Sequence, residues 1–414
     1  MDFILTNIKQ MVTNLGHGQE PVKGQAMKEV GLKEGWAIRV KDGIIDSVGP
    51  EAEILSARDE NTEIVDLQGK LLLPGFVEPH THLVYAGDRA HEWALKQQGV
   101  PYLEILAQGG GILDTVRQTR SAGKEALKEQ TAKRLETMKR GGITTVEIKS
   151  GYGLDTATEL LQLEVVKELQ EEQPLDLVAT FMGAHATPPE YKDNPQAFVD
   201  LVINEMLPAV EKQGIAEFCD VFCEAGVFSP EDSLRILEAG IEHNLRPKIH
   251  ADELGVSGGS RIAAQIKAVS AEHLMETDEE GMELMAEAGV IGVLLPATSF
   301  NLAKGTYAQA RKMLEKNMAL ALSTDANPGS SPTENMQFVL SVACLYLKLS
   351  PEEAIMAATL NAAHAIGRGD LVGSLDPGKQ ADFVIMDAPS IDYLPYHFAS
   401  NHVSQVYKKG VPLL

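Results

Sequence analysis

Cysteine is scarce in this sequence, with only three residues among 414: Cys219, Cys223 and Cys344. A small odd set provides no disulfide framework and is typical of a reducing cytoplasm. Cys219 and Cys223 lie close together in an apolar segment that has no second Cys/His pair nearby. Packing is therefore a more economical role for them than metal binding.

Targeting and membrane segments are also missing. The first residues, MDFILTNIKQMVTN, contain no basic region followed by a continuous apolar region, so we expect no signal peptide. No apolar run approaches the ~18 residues that a membrane-spanning helix needs. We therefore expect a cytoplasmic protein without a membrane partner.

Positive charge is in short supply, because 36 Lys and Arg residues stand against 59 Asp and Glu residues, for a net charge of −23. Such a field repels nucleic acid, so we expect no nucleic-acid partner. It also repels a small anionic substrate, which then needs a local cationic anchor. No residue pattern identifies a subunit interface, and a homodimer is our expectation for an enzyme of this kind.

Both ends of the chain carry short strand-like segments separated by Gly, Lys and Asp turns. Neither end alone has enough strands to bury both faces of a sheet. We predict that residues 1–68 and 374–414 pair into one small β-sandwich. The catalytic domain then spans residues 69–373 as a continuous insertion.

Eight short apolar runs divide this middle region, with amphipathic segments at helical spacing between them. The runs are LLLPGFV (71–77), TTVEI (144–148), LVATFMG (177–183), DVFCEAG (220–226), RPKIH (246–250), AVSAEHL (268–274), GVIGVLLP (289–296) and ALALSTD (319–325). This alternation predicts an α/β fold, a (β/α)8 TIM-type barrel. A doubly wound open sheet is the alternative.

Reactive side chains lie in or directly after these runs. They are His80, His82, Lys149, His185, Glu224, His250, His273 and Asp325. Active sites of such barrels are assembled at the carboxyl ends of the strands. Chance would rarely place so many titratable residues there, so we expect them to form one site.

His80 and His82 are the most informative pair, because side chains two residues apart on a strand share a face. Together with His250 and Asp325 they form a donor set that suits zinc, with iron as the alternative. Taken alone, His250 is more simply explained as a core histidine at a strand end, whereas Asp325 is as readily a helix N-cap as a ligand. A bound divalent ion lowers the pKa of water from 15.7 to about 7.

Three residues are candidates for proton transfer or orientation beside that ion. Glu253 follows His250 in the segment HADE and is a candidate proton carrier, as is Asp325. His273 is placed to orient the water or to polarise a carbonyl. The sequence does not divide these roles among the three.

Several segments carry a family resemblance: PGFVEPHTHL, KIHADE, SAEHL, LSTDANPGSSPTEN and VGSLDPGKQADFVI resemble the amidohydrolase superfamily of metal-dependent hydrolases. More narrowly, the chain is similar to the imidazolonepropionase family along nearly its whole length. The segments that carry this are EPHTHLVYAGDRAHE, ILAQGGGILDTVRQTR, TTVEIKSGYGL, TFMGAHATPPEY and DANPGSSPTEN. AQGGGI and KSGYGL are much more specific than the metal motifs, which many families share.

The resemblance implies hydrolysis of the cyclic amide of 4-imidazolone-5-propanoate to N-formimidoyl-L-glutamate, in histidine degradation, by a metal-activated water. It implies one Zn²⁺ or Fe³⁺ per chain, held by His80, His82, His250 and Asp325. The catalytic residues would be Glu253, His273 and Asp325. The substrate contacts would be Arg89, Tyr152, His185, Glu253, Asn327, Gly329 and Ser330.

Elementary chemistry agrees with three of these contacts. Arg89 offers a planar fork that matches the propanoate, and it supplies the cation that the acidic chain otherwise lacks. Tyr152 stands between glycines that allow a sharp loop. His185 follows a strand and is placed to hydrogen-bond the ring. A solvated arginine, a turn tyrosine and a packing histidine are the structural alternatives.

The sequence leaves three alternatives open: a site with two metal ions, a deaminase function and a non-catalytic scaffold. Some amidohydrolases bridge two ions with a carboxylated lysine on the fourth strand, but here the nearest lysine, Lys149, follows the second run, which favours one ion. A deaminase acting on a nucleobase-like ring also fits H-x-x-E, although Arg89 favours a carboxylate-bearing imidazolone. A non-catalytic scaffold is disfavoured, because all the ligand and acid–base candidates are present.

Overall fold

The computed structural model describes residues 2–100, 104, 109–303 and 305–414. Its largest sheet has eight parallel strands whose order follows the chain: Phe76–Glu78, Ile143–Lys149, Asp176–Ala184, Phe218–Cys223, Arg246–Ala251, Ser270–His273, Ile291–Leu294 and Leu320–Leu322. Thr81 and Ala326 form a parallel bridge between the chain segments that follow the first and eighth strands. The sheet therefore closes into the predicted (β/α)8 barrel, and the open-sheet alternative is wrong.

Helices cover the outside of the barrel and follow its strands. Their bounds are Ala90–Gln97, Ile112–Ser121, Lys124–Arg140, Thr156–Glu172, Pro195–Leu201, Leu207–Gln213, Pro230–Glu242, Gly259–Gln265, Glu279–Ala288, Pro296–Leu302, Ala310–Glu315, Met336–Val342, Pro351–Ala358 and Leu360–Ala365. Side-chain caps fix several starts; Asp155, for example, accepts from the Thr158 amide at 2.8 Å. Within the described residues, no helix is both long enough and apolar enough to span a bilayer.

Shorter helical pieces also occur among the described residues. Two π-helical stretches extend neighbouring helices at Val202–Met206 and Ala343–Leu347. Single-turn 3₁₀ pieces lie at Gly24–Lys28 and Pro189–Tyr191, and short α-helices at Glu51–Ser56 and Tyr393–Tyr396.

The first apolar run does not form one strand, contrary to the sequence interpretation. It breaks at Gly75 into Leu71–Pro74, which joins a small sheet, and Phe76–Glu78, which starts the barrel. The Gly75 amide donates to the Asp382 carbonyl at 3.0 Å, and a Cβ there would overlap the Thr144 side chain. Close packing at this crossing therefore leaves room only for glycine.

Two small sheets lie outside the barrel. A four-stranded sheet is built from Ile44–Pro50, Trp36–Lys41, Asp2–Thr6 and Glu63–Asp66. A five-stranded sheet is built from Val411–Pro412, Val403–Lys408, Phe383–Met386, Leu71–Pro74 and Gln10–Met11. The second sheet combines strands from both ends of the chain, which confirms a small β domain of mixed origin. The domain boundaries at residues 68 and 374 stay predictions.

Apolar side chains from the two small sheets form one core. Phe3 and Leu5 from the first sheet pack in the same cluster as Leu72, Phe383 and Tyr407 from the second. The rings of Phe383 and Tyr407 stack with centroids 4.7 Å apart. Each sheet thus buries the apolar face of the other, as a sandwich requires.

A buried ion-pair network joins the small domain to the barrel. Lys408 Nζ lies 2.7 Å from Asp176 Oδ2, at the start of the third barrel strand, and 2.5 Å from Asp382 Oδ2 beside the five-stranded sheet. The Lys408 side chain is only 3% exposed, so these two carboxylates offset the cost of burying its ammonium group.

We expect Lys408→Met to lower the free energy of unfolding by about 3–5 kcal/mol, because it leaves the buried Asp382 carboxylate without its paired cation. Urea unfolding followed by circular dichroism would measure this. Lys409→Met is the matched control, since Lys409 pairs with Asp176 at 3.0 Å but is 55% exposed, and it should cost no more than about 1 kcal/mol. Equal losses in the two variants would contradict the assignment.

Candidate metal centre and active site

The carboxyl ends of the barrel strands bring the four predicted ligands together. His80 and His82 follow the first strand, His250 lies in the fifth, and Asp325 follows the eighth. The first strand ends at Glu78, so its two histidines lie just beyond it and not within it. They still reach the same centre.

Distances within this group suit a single ion. His80 Nε2 and His82 Nε2 lie 3.4 and 3.7 Å from Asp325 Oδ1, and His82 Nε2 lies 3.4 Å from His250 Nε2. Two nitrogen ligands about 2.0–2.1 Å from a tetrahedral ion would lie about 3.4 Å apart. The three imidazole nitrogens are thus close enough together to share a zinc-like ion, and the Asp325 carboxylate lies beside two of them.

Burial keeps the imidazoles neutral. It lowers the pKa of His250 to about 3, against the opposing effect of Asp220, and it holds the pKa of His80 well below its ordinary value. Neutral imidazole is the form that binds metals. Of the residues that the structure describes, none hydrogen-bonds to His80 Nε2, although that atom is buried. A nitrogen that binds a metal must have a lone pair that no hydrogen bond occupies, and His80 Nε2 meets this condition.

Two carboxylates orient the imidazoles from behind. Glu272 Oε2 lies 2.7 Å from His80 Nδ1, and Asp220 Oδ1 lies 3.0 Å from His250 Nδ1. A proton on each Nδ1, donated to its carboxylate, leaves the Nε2 lone pair free on the side of the cluster. Asp220 and Glu272 therefore belong to the site, although the sequence analysis did not select them.

Asp325 is held in an unusual backbone conformation, with φ +54°. Its Oδ2 accepts from Thr298 Oγ1 at 2.6 Å, and its carbonyl accepts from Asn327 Nδ2 at 2.7 Å. Burial raises the pKa of Asp325 to about 6, although His273 opposes the rise. Positive φ at a non-glycine residue is a cost that a functional position can retain.

Glu78 supports this turn from within the barrel. It is fully buried, and it accepts from Ser323 Oγ and from the Thr324 amide, the latter at 3.1 Å. Burial raises the pKa of Glu78 to about 8 against the opposing effect of Ser323. The end of the first strand thus fixes the end of the eighth.

Glu253 and His273 lie together beside the cluster. Glu253 Oε2 is 3.7 Å from His273 Nε2, and the ring of His273 lies 5.3 Å from that of His250. Glu224 holds the loop, because its Oε2 accepts from the amides of Glu253 and Leu254 at 3.0 and 2.9 Å. The structure therefore brings Glu253 and His273 to the predicted site and gives Glu224 a supporting position.

Lys149 does not face the ligands as a bridging group. Its Nζ lies 2.8 Å from Glu147 Oε1 and 2.8 Å from Asp220 Oδ2, and its side chain is fully buried. Burial alone would lower the pKa of Lys149, but Asp220 and Glu147 raise it above the ordinary value. Its ammonium is paired with these two carboxylates instead of facing the imidazole cluster.

Tyr152 and His185 form one wall of the site. The His185 ring stacks on that of His82 with centroids 4.8 Å apart, and Tyr152 lies 5.3 Å from His185. His185 Nδ1 pairs with the Gly151 carbonyl at 3.0 Å, and burial lowers the pKa of His185 to about 4. The structure thus places both residues beside His82, and their contact with substrate stays a prediction.

Arg89 lies at the edge of the site and is held in place. Its Nε and Nη2 both lie 3.1 Å from Glu92 Oε2, and Glu92 is almost fully buried. A Cβ added at Gly329 would overlap Arg89 Nη1, so the guanidinium lies against the loop after the eighth strand. The structural alternative of a solvated surface arginine does not fit this position.

The loop after the eighth strand is an internally bonded turn. Asn327 Oδ1 accepts from the amides of Gly329 and Ser330, each at 2.8 Å. Asn327 Nδ2 also donates to Ser330 Oγ at 2.9 Å. The hydrogen bonds of the Asn327 side chain therefore stabilise the loop itself. The loop places Gly329 beside Arg89.

The AQGGGI segment at 107–112, expected as a loop, is only partly described. Ala107 and Gln108 lie outside the described residues. Gly111 has φ +77°, and its amide donates to Glu92 Oε1 at 2.7 Å. Glu92 therefore connects this segment to Arg89, a contact across 19 residues of sequence that no local pattern predicts.

Comparison with known proteins places the chain among hydrolases. The model of the amidohydrolase family matches residues 71–413. An imidazolonepropionase of Alkaliphilus oremlandii (strain OhILAs) is 53% identical over 411 residues, which cover 99% of this chain and 97% of that protein. One of Streptococcus pyogenes serotype M6 is 50% identical over 414 residues, with coverage of 99% and 97%.

Solved structures share the fold at low sequence identity. Guanine deaminase of E. coli superposes with a TM-score of 0.75 at 18% identity, covering 100% of this chain and 99% of that one. A zinc-containing adenosine deaminase from Xanthomonas campestris gives a TM-score of 0.72 at 20% identity, with coverage of 100% and 93%. These similarities concern the fold alone.

We expect His250→Ala to weaken zinc binding by more than the ~100-fold that loss of an outer hydrogen-bond partner can cost, because it removes a donor atom itself. Competition with a chromophoric chelator would measure the affinity. His243→Ala is the control, since that ring pairs with Glu211 at 2.7 Å outside the cluster. Unchanged zinc affinity in the His250 variant would remove it from the donor set.

Proposed function

The chain belongs to the imidazolonepropionase family of amidohydrolases, and on that premise we propose that it hydrolyses 4-imidazolone-5-propanoate to N-formimidoyl-L-glutamate. The reaction opens a cyclic amide in histidine degradation. The observation that carries the proposal is the near-complete length over which the chain matches the family. A buried donor cluster with an arginine at its edge agrees with it.

We propose that His80, His82, His250 and Asp325 hold one Zn²⁺ or Fe³⁺ per chain. Three imidazole nitrogens lie close enough to one another to share an ion, and the Asp325 carboxylate lies beside two of them. When bound, the ion would supply a Lewis acid that activates water and polarises a carbonyl oxygen. The engagement of Lys149 by two carboxylates supports one ion over two.

Substrate would be held between Arg89 and the imidazole wall. Nη1 of Arg89 points toward Gly329, while Nε and Nη2 are occupied by Glu92. We propose that the propanoate approaches this Gly329 side, where Ser330 also lies. Tyr152 and His185 would then contact the imidazolone ring and exclude water from it.

Proton transfer falls to Glu253 and Asp325 in this proposal. Water oxygen attacks the ring carbonyl carbon, the ring C–N bond breaks, and the proton from water passes to the departing nitrogen. Asp325 is nearest the histidine donors, whereas Glu253 stands on the His273 side of the cluster. His273 would polarise the carbonyl or orient the water. Its backbone has a φ of +70°.

Location and assembly stay predictions of the sequence. We propose a cytoplasmic enzyme that acts on a small anionic substrate without a nucleic-acid or membrane partner. The excess of acidic residues supports the absence of a nucleic-acid partner. A homodimer is the proposed assembly.

The proposed function predicts loss of ultraviolet absorbance when the protein is mixed with imidazolone propanoate, and no turnover of cytosine or guanine. Elemental analysis of the same preparation should give one zinc or iron per chain. Turnover of a nucleobase alone would replace the proposal with the deaminase alternative. A content of two ions per chain would contradict only the single-ion centre.

We expect Arg89→Ala to reduce kcat/KM by a factor equivalent to roughly 2–4 kcal/mol, mainly through KM, because a partly desolvated partner of the propanoate is lost. Steady-state kinetics in the absorbance assay would show it. Arg235→Ala is the control, because that arginine is 43% exposed and pairs with Asp200 at 3.0 Å on the outer helices. If the two variants keep the same kcat/KM, the propanoate is bound elsewhere.

A further inference from the structure

Two fully buried lysines lie behind the imidazole cluster, inside the barrel. Lys149 is in the second strand and Lys248 in the fifth, and neither side chain has any exposed surface. An ammonium group is costly to bury unless anionic or polar partners surround it. Neither lysine has a part in the reaction proposed above, so their burial calls for another reason.

Lys149 is connected to one imidazole through a single carboxylate. Its Nζ lies 2.8 Å from Asp220 Oδ2, and Asp220 Oδ1 lies 3.0 Å from His250 Nδ1. The two oxygens of Asp220 therefore have separate partners on opposite sides. A carboxylate held at one oxygen by a close ion pair cannot rotate without breaking that ion pair.

Lys248 repeats the arrangement with a different imidazole. Its Nζ lies 3.4 Å from Glu272 Oε1, and Glu272 Oε2 lies 2.7 Å from His80 Nδ1. The Ala365 carbonyl accepts from the same Nζ at 3.1 Å, and Ser270 Oγ donates to Glu272 Oε1. Two chains of contacts thus run from a buried ammonium, through a carboxylate, to a histidine of the cluster, with a closer ion pair at Lys149 than at Lys248.

The third histidine lacks such support. In the described part of the chain, no group hydrogen-bonds to His82 Nδ1, which is buried. His82 is instead packed by the stacked ring of His185. The lysine-anchored contacts are therefore specific to His80 and His250, and not a general property of the barrel interior.

We infer that Lys149 and Lys248 are positioning residues of the metal centre, each fixing the carboxylate that orients one histidine ligand. The inference rests on the metal site proposed above. With Asp220 and Glu272 held, the Nδ1–H of each imidazole is committed and the Nε2 lone pair stays aimed at the common centre. Removal of a lysine frees the carboxylate, and with it the ring.

The alternative is that the lysines only balance buried negative charge. That role predicts a loss of folding stability without a change in metal affinity. Lys408 provides the matched control, because it is a buried lysine between two carboxylates at 2.7 and 2.5 Å, but at the junction with the small domain. Lys408→Met should therefore lower stability and leave metal affinity unchanged.

The test compares Lys149→Met, Lys248→Met and Lys408→Met in the full-length chain freed of metal. Zinc affinity is measured by competition with a chromophoric chelator, and the Tm of each metal-free protein is recorded. We expect zinc binding to weaken by roughly 10–100-fold in the first two variants. Lys408→Met should match the wild-type affinity even where its Tm is lower.

Wild-type affinity in both Lys149→Met and Lys248→Met would overturn the inference and leave the proposed function standing. A wild-type chain that binds no zinc and no iron would overturn both. If Lys149→Met does not fold, Asp220→Asn takes its place, because the amide presents NH₂ to either Lys149 or His250. Undiminished zinc affinity in Asp220→Asn and Lys248→Met would equally refute the inference.

Discussion

Three imidazoles lie close together at the barrel mouth, almost without contact with water, and they must remain neutral with their lone pairs directed inward. Burial supplies the neutrality by lowering the pKa values of His80 and His250. It cannot supply direction, because a neutral ring has two tautomers. Direction comes from Glu272 and Asp220, and these buried anions need cations in turn. The need to orient neutral imidazoles therefore explains why buried carboxylates lie behind the histidines and why buried lysines lie behind the carboxylates.

The barrel satisfies this requirement because its strands converge. Residues far apart in sequence meet at the carboxyl ends, and the turns beyond those ends can be fixed by neighbouring strands. Glu78 at the end of the first strand holds Ser323 and Thr324 after the eighth. Asp325 in the turn after the eighth strand and His273 at the end of the sixth strand keep positive φ values. Surrounding contacts maintain such conformations, which would relax in an isolated loop.

The sequence predicted the barrel, the mixed small domain and the family because each leaves a short-range pattern: apolar runs, their spacing, and reactive residues at their ends. It did not predict the break at Gly75, which depends on how closely Thr144 approaches. It also missed Glu272, which is 192 residues from its partner His80. A charged residue inside a strand is visible in sequence, but its partner is set by the closed barrel. The roles of the metal and substrate residues stay predictions.

The mixed origin of the five-stranded sheet has a consequence for synthesis on the ribosome. Leu71–Pro74 takes Phe383–Met386 as its antiparallel neighbour, about 300 residues later in the chain. At ~5–20 residues per second, the early strand waits for about 15–60 s before its partner is made. Throughout that interval the apolar face of the first sheet lacks its cover, so the nascent chain offers chaperones a hydrophobic surface that the finished protein hides.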